Sequence, residues 1–451
     1  MNSKRANSTV RFVLGAAMLS LLTACAATGP YVLELMPAPT VYQDEDFSPF
    51  ADDFSPESLP YRGMLYVTDR RPAGGAEPPS PADPHYVGKR GEGLRAGVAS
   101  IQLGEGGFTW EEAIRVSMAS DRGEGYRLSV TGVDELGFLE PSIEPFIEAP
   151  DFPLADEAFA ALVDDKLAQS EQKDVYIYVH GYRVRFEYPV LVATELWHFL
   201  GYEGAFIAFS WPSTPSYLAY FADAEVAVVS ARQLRILLEF LAENTQVRRI
   251  HMLGYSQGTR TVMQALHMLA LKHKDDDRES LLKRLRIGNV ALVGSDIDRE
   301  TMGMYVADGL MRVTERMTVY ASAKDKALRI SRRVLRRDRI GQLIPSDEIT
   351  NELRGFLLNT PEFEIINVTD AEDATTENGH RYFRSSPWVS SDLLTSFRYG
   401  MTPGERGLEI LPDTPIWQFP ADYPARLRSA LDDVVENEAS ALPATAGQSL
   451  P

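Results

Sequence analysis

The chain reads as an α/β protein, a single doubly wound domain with a mostly parallel central sheet and helices on both faces. Three observations predict it. Apolar runs of β type alternate regularly with helix-forming segments from Val175 onward. One of these runs, Ile250 to Leu253, leads straight into Gly254-Tyr255-Ser256-Gln257-Gly258 and then into another helix-forming segment. The composition is that of a globular protein, 44% hydrophobic, 10% aromatic and 24% charged, and beyond the N-terminus no run is long enough to cross a bilayer.

The N-terminus is read separately from the fold. Lys4, Arg5 and Arg11 precede an apolar run from Phe12 to Leu22. That run is too short for a spanning helix of ~20 residues and fits the core of a signal peptide over residues 1–24. Leu22-Thr23-Ala24-Cys25 resembles a bacterial lipobox, which makes Cys25 the expected lipid acceptor; the alternative is an ordinary signal peptide whose cleavage site happens to contain a cysteine. Cys25 is the only cysteine in 451 residues. Once it is acylated, no thiol remains for disulfides, for a cysteine nucleophile or for cysteine-ligated zinc. Ala26 stands where lipoproteins retained at the inner membrane carry aspartate, so the resemblance implies a lipid-anchored protein of the bacterial cell envelope, on the periplasmic face of the outer membrane.

Charge narrows the partners. A net charge of -19 excludes general nucleic-acid binding, which needs a surplus of Lys and Arg. It also disfavours adhesion of the whole surface to anionic lipid and leaves the anchor at Cys25 to hold the membrane. One stretch departs from this. Lys324, Lys326, Arg329, Arg332, Arg333, Arg336, Arg337 and Arg339 are interleaved with Leu328, Ile330, Val334 and Leu335. They read either as the solvated face of an amphipathic helix or as a patch for phosphate headgroups or an acidic substrate.

In chain order, residues 25–60 are expected to be the lipidated cysteine and a flexible tether, rich in Pro, Asp and Glu, with a root-mean-square reach of ~30 Å. The folded domain is expected over 61–400, opening with a β run from Gly63 to Thr68. A loop with five prolines follows from Arg71 to His85. Leu94 to Leu103 and Tyr126 to Val130 read as strands, and Leu154 to Gln169 as a helix with Phe159, Leu162 and Leu167 on one face. Val175 to Val179 is a buried strand, and Pro189 to Leu200 a helix with proline in its first turn and Gly201 after it. Ala205 to Phe209 is a strand, followed by Trp211-Pro212-Ser213 and a segment to Asp223 expected to cover a cleft. Leu234, Leu237, Leu238 and Leu241 mark a helix over Ala231 to Glu243. Strands follow at Val247 to Leu253, Ile287 to Val293 and Met317 to Tyr320. Residues 401–451 are expected to be a C-terminal extension, disordered from Glu436.

The candidate site is built around Ser256. In G-x-S-x-G the serine sits on a strained strand-to-helix turn, and glycine is needed at Gly254 and Gly258 because side chains there would collide with the backbone. The following helix, Thr259 to Lys272, points its N-terminus at the serine. On such a sheet the acid and the base follow the nucleophile in the chain. Of the histidines after Ser256, His267 and His273 belong to the elbow helix and its end, whereas His380 lies in a loop where a general base must sit. Two carboxylates are candidates for the acid: Asp325, ending the strand after next, and Asp296, ending the strand next to that of the nucleophile. The oxyanion hole takes one N–H from Gln257 and one from Tyr182, in the loop His180-Gly181-Tyr182-Arg183, where His180 braces the loop. No metal or cofactor is expected, since Asp296 and Asp298 have no clustered histidines beside them.

Taken in order, Val179-His180-Gly181-Tyr182, Phe209-Ser210-Trp211-Pro212-Ser213, Gly254-Tyr255-Ser256-Gln257-Gly258, Ser295-Asp296-Ile297-Asp298, Tyr320 to Asp325 and Gly379-His380-Arg381-Tyr382-Phe383 resemble an uncharacterised bacterial family of α/β-hydrolases in the esterase/lipase superfamily. The resemblance extends upstream to Tyr66-Val67-Thr68-Asp69-Arg70 and covers about residues 60 to 400. It implies the α/β-hydrolase fold and acyl-transfer chemistry, and no particular substrate. This chain departs from the family in carrying Tyr255 where the family usually has histidine, and Gln257 where it has asparagine or a small residue. The expectation is therefore a membrane-anchored serine hydrolase acting through an acyl-enzyme on a small-molecule or lipid ester. Two alternatives stay open: amidase or peptidase chemistry on the same residues, and a non-catalytic envelope module on a hydrolase fold.

Overall fold

The computed structural model describes residues 31–43, 48–50, 62–74, 80, 83–104, 109–119, 126–140, 154–214, 220–376 and 378–441. The expected signal peptide and Cys25 lie outside them, as do residues 215–219 of the segment expected to cover a cleft.

Among the described residues, twelve strands form one sheet. The first part of the chain supplies β1 (Val32–Glu34), β2 (Arg62–Pro72), β3 (Tyr86–Leu103), α1 (Trp110–Met118), β4 (Arg127–Glu140) and α2 (Asp156–Ala168). The alternating core follows with β5 (Asp174–Val179), α3 (Glu187–Phe199), β6 (Ala205–Ser210), α4 (Tyr220–Asn244), β7 (Arg249–Tyr255), α5 (Gly258–Lys272), α6 (Arg278–Leu285), β8 (Ile287–Val293), α7 (Arg299–Ala307) and β9 (Arg316–Ala321). It closes with α8 (Lys326–Leu335), α9 (Asn351–Asn359), β10 (Phe363–Asn367), α10 (Tyr382–Ser385), α11 (Pro387–Tyr399), β11 (Glu409–Ile410), β12 (Trp417–Gln418) and α12 (Tyr423–Ala441). The spatial order is β1-β4-β3-β2-β6-β5-β7-β8-β9-β10-β12-β11. Every pairing from β2–β6 to β10–β12 is parallel, while β1, β4, β3 and β2 form an antiparallel wing.

Both faces of the parallel part are covered, which is why β5, β6 and β8 are buried along their whole length and read as continuous apolar runs. Alternate residues of β5 go to opposite faces. Val175, Ile177 and Val179 pack under α4 and α5, whereas Tyr176 and Tyr178 pack among α3 and α11. Parallel strands all end on one side, so the loops after β5, β7, β8, β9 and β10 gather at a single edge, where ligands bind in open α/β sheets.

Three expectations are corrected here. Part of the tether is folded: β1 pairs with β4, and Leu33, Met36, Tyr42 and Phe50 are buried in the core. The segment is too short and irregular to show a period, and it is held by partners remote in sequence, such as Glu195, whose carboxylate accepts from the Met36 N–H at 3.1 Å. The domain also does not stop at residue 400. β12 adds in parallel to β10, and Ile416, Tyr423, Leu427 and Leu431 are buried. Helix α12 runs through Ala441, past the expected onset of disorder at Glu436, and residues 442–451 lie outside the described chain. Finally, β3 and β4 are much longer than the runs at Leu94 and Tyr126 suggest. Their antiparallel ribbon shifts register repeatedly and carries glycine where chains approach, as at Gly97, where a Cβ would lie 2.4 Å from Asp134 O and the Tyr66 hydroxyl. No helix among the described residues is long and apolar enough to cross a membrane.

Candidate active site

The elbow forms as its glycines require. Ser256 follows β7 directly and adopts φ 51, a left-handed conformation that costs a non-glycine residue about 1–2 kcal/mol. A Cβ at Gly258 would lie 2.2 Å from His180 O, and one at Gly254 would lie 3.1 Å from a Val262 methyl. Helix α5 begins at the elbow and presents its N-terminus to the serine.

His380 and Asp325 complete a continuous chain of hydrogen bonds. His380 Nε2 is 2.9 Å from Ser256 Oγ, and His380 Nδ1 is 2.6 Å from Asp325 Oδ2. A carboxylate only accepts, so the ring proton sits on Nδ1 and the Nε2 lone pair faces the serine hydroxyl. Asp325 is fully buried, and its other oxygen accepts from the Leu328 N–H at 2.9 Å, so the residue that orients the imidazole also caps α8.

The histidine loop is pinned from several sides. The Tyr382 hydroxyl donates to Tyr320 O at 2.8 Å and accepts from the Gly294 N–H at 2.6 Å, tying the ends of β8 and β9 to the residue two past His380. Gly294, with φ 54, leaves room for the ring: a Cβ there would lie 2.9 Å from His380 Cε1. The Tyr255 ring is centred 5.2 Å from that of His380 and 5.0 Å from that of Phe383.

The second expected acid is engaged elsewhere. Asp296 accepts from Ser331 Oγ at 2.6 Å and from Arg260 at 3.1 Å, with the buried Arg339 beside it. It holds the loop after β8 to α5 and α8, and the carboxylate bonded to His380 is that of Asp325. His267 stacks on Tyr305 and bonds Asp308 on the outer side of α5.

The loop after β5 lies against Ser256. A Cβ at Gly181 would lie 2.9 Å from Ser256 Cβ and 3.4 Å from its Oγ, so the backbone leading into Tyr182 borders the serine. His180 braces this loop. Its ring stacks on Trp211 with centroids 5.1 Å apart, and the Trp211 indole N–H donates to His180 O at 2.6 Å. Burial, reinforced by the nearby Arg70 charge, holds the His180 imidazole well below its usual pKa; neutral, it donates through only one of its two nitrogens.

Sequence reasoning gave no role to Arg70, and the structure supplies one. Its guanidinium, fully buried, donates to Ser210 Oγ at 2.9 Å and to Val184 O at 3.1 Å, tying the loop after β5 to the end of β6. Burial lowers its pKa to about 10, so it stays charged. Glu187, at the start of α3, is its largest electrostatic partner, yet both Glu187 oxygens are buried without a hydrogen bond, and burial raises that carboxyl to about 7. The only signal in the sequence was the Tyr66 to Arg70 run itself, in which Asp69 and Arg70 continue an otherwise uncharged β run. Among the described residues no group of three or more His, Cys, Asp or Glu is placed to hold a metal ion.

A parallel sheet with a serine elbow at its central strand and an imidazole within reach on a later loop defines an α/β hydrolase. The chain belongs to the family described as alpha/beta hydrolase of unknown function (DUF900), which matches residues 155–397, more than half of its length. The match takes in the elbow, His380 and both acids, and leaves the Tyr66 to Arg70 run and the antiparallel wing outside it. Comparison with curated proteins returns no match.

Proposed function

We propose that the protein is a serine hydrolase of carboxylic esters, held at the bacterial envelope by acyl chains on Cys25. The observation that carries the catalytic part is the relay Asp325–His380–Ser256, with both contacts at hydrogen-bond distance on a strained elbow. Ser256 Oγ attacks the ester carbonyl carbon while His380 Nε2 takes its proton. The carbonyl oxygen becomes an oxyanion facing the N–H groups of Gln257 and Tyr182 and the N-terminus of α5. Collapse expels the alkoxide, which receives the proton from His380 and leaves as the alcohol. A water then attacks the acyl-enzyme with His380 again taking the proton, and the carboxylic acid departs with Ser256 restored. Asp325 holds the Nδ1–H tautomer and stabilises the imidazolium throughout.

A fluorophosphonate probe on the purified protein tests the reading. Labelling and short-chain ester turnover should both depend on Ser256; intact protein that neither labels nor turns over esters would identify a non-catalytic module. A panel of esters, thioesters and amides ranks the leaving groups, and faster turnover of amides would reassign the substrate class. For the anchor, Cys25→Ser should abolish metabolic labelling with a fatty acid.

A further inference from the structure

We propose that α8 is an interfacial helix that seats the catalytic edge of the sheet on an anionic bilayer. The first observation is position. The excursion from Ser322 to Gly341 starts and ends on that edge: the Ser322 N–H donates to Gly341 O at 3.0 Å, and the Gly341 N–H to Ser295 O at 3.1 Å. The helix begins one residue after Asp325, and the Lys326 N–H bonds Asn378 O at 3.0 Å in the loop of His380. Ser331, a turn and a half along, still reaches the loop after β8 through Asp296. The helix therefore lies beside the catalytic residues and does not run away down the flank.

The second observation is the chemistry of its outer face. Leu328 points inward, whereas Ile330 and Val334, one turn apart, are 61% and 57% exposed. Around them Lys326, Arg329, Arg333 and Arg336 are exposed and take part in none of the described ion pairs, while Arg332 and Arg337 are paired with Asp338 and Glu300. Residues 324–339 hold eight basic and two acidic side chains in a chain of net charge -19. The rest of the chain is correspondingly more acidic, so the charge of an anionic membrane favours this face. The exposed Ile330 and Val334 favour a bilayer over a nucleic acid, because phosphate contacts leave aliphatic side chains without a partner, whereas the headgroup boundary takes them up. The inference rests on the proposed ester-hydrolase reading for its consequence, which is that substrate enters from the lipid side. The docking itself does not require turnover.

Ile330→Trp in the full chain, combined with Ser256→Ala, tests docking without catalysis. Against vesicles of phosphatidylglycerol and phosphatidylethanolamine, brominated acyl chains should quench the added tryptophan emission relative to the parent. Zwitterionic vesicles should give no quenching, and high salt should relieve it. Arg329→Gln, Arg333→Gln and Arg336→Gln together should weaken this engagement about a hundredfold, at roughly fivefold per surface charge. In the active chain the same three changes should slow turnover of a bilayer-borne ester and leave a soluble ester unaffected. Absence of quenching, or equal quenching in both vesicle types, overturns the proposal. So does an emission change that instead follows an added oligonucleotide or protein concentration, which would assign the face to nucleic acid or to a second copy. Failure of Ser256→Ala to abolish turnover would remove the hydrolase reading and leave the quenching result standing.

Discussion

Strand β7 serves an imidazole–carboxylate pair near each of its ends. At its C-terminal end it delivers Ser256 to His380, whose Nδ1 is 2.6 Å from Asp325. Towards its N-terminal end it carries His251, whose Nε2 is 3.4 Å from Asp174. Both histidines and both acids are buried, so burial does not separate them. The free nitrogen does. His251 Nδ1 accepts the Asn289 N–H at 3.1 Å, which uses up its lone pair, while the ring is clamped between Tyr176 and Phe397. Asp174 is also held by Arg248, and although burial opposes it, the bonds from His251 and Arg248 keep the carboxyl below its ordinary range. A cavity of about 460 Å³ opens there, yet neither serine nor threonine lines it. An imidazole beside a carboxylate is thus a structural brace when its second nitrogen is occupied, and is placed to accept a proton when that nitrogen faces a hydroxyl.

The largest effect that sharpens this contrast is Ser256→Ala, which should lower kcat on a soluble ester about a millionfold. Asp325→Asn should lower kcat about ten-thousandfold with KM little changed, because the wrong tautomer then faces the serine. At the other end of β7, His251→Ala should leave kcat per fluorophosphonate-titrated site within about twofold while removing about 3 kcal/mol of stability in denaturant unfolding. A hundredfold drop in kcat per titrated site would break the contrast. Asp296→Asn should likewise spare kcat and lower Tm, since it leaves the buried Arg339 without its acid.

The smallest effect concerns pH. The Glu187 carboxyl is raised from 4.5 to about 7 in the folded chain, so between those values the native state binds more protons than the unfolded one and stability falls as pH rises. Above about 7 the penalty is complete. Glu187→Gln removes it, and its Tm advantage over the parent should therefore grow by roughly 3 °C from pH 5 to pH 8. A constant difference across that window would mean that Arg70 already neutralises the charge.

What was legible in the sequence was local or ordered. The elbow is five contiguous residues whose glycines are demanded by contacts at 2.2 and 3.1 Å, and His380 and Asp325 follow from chain order on a parallel sheet. What was hidden depends on partners far away in the chain. β10 reads Phe363-Glu364-Ile365-Ile366-Asn367, and Glu364 breaks the apolar run because it is buried against Arg316 and Thr318. β1, β11 and β12 are two or three residues long and exist only by pairing with neighbours already in place. Arg70 and Glu187 belong to the same class, since nothing near them in sequence reports that both are buried and attract one another.

On the proposed anchor at Cys25, the folding of Tyr31–Gln43 onto the body leaves only a short leash. With acyl chains on Cys25, only the residues up to Tyr31 separate lipid from packed chain, roughly 20 Å at full stretch. The leash leaves from β1, whose Glu34 carbonyl accepts from Arg384 at 2.8 Å, four residues past His380. Any headgroup contact made by α8 then becomes an intramolecular event, at an effective concentration on the order of millimolar or above. A contact too weak to recruit a free protein is enough to orient a leashed one, and avidity takes the place of affinity.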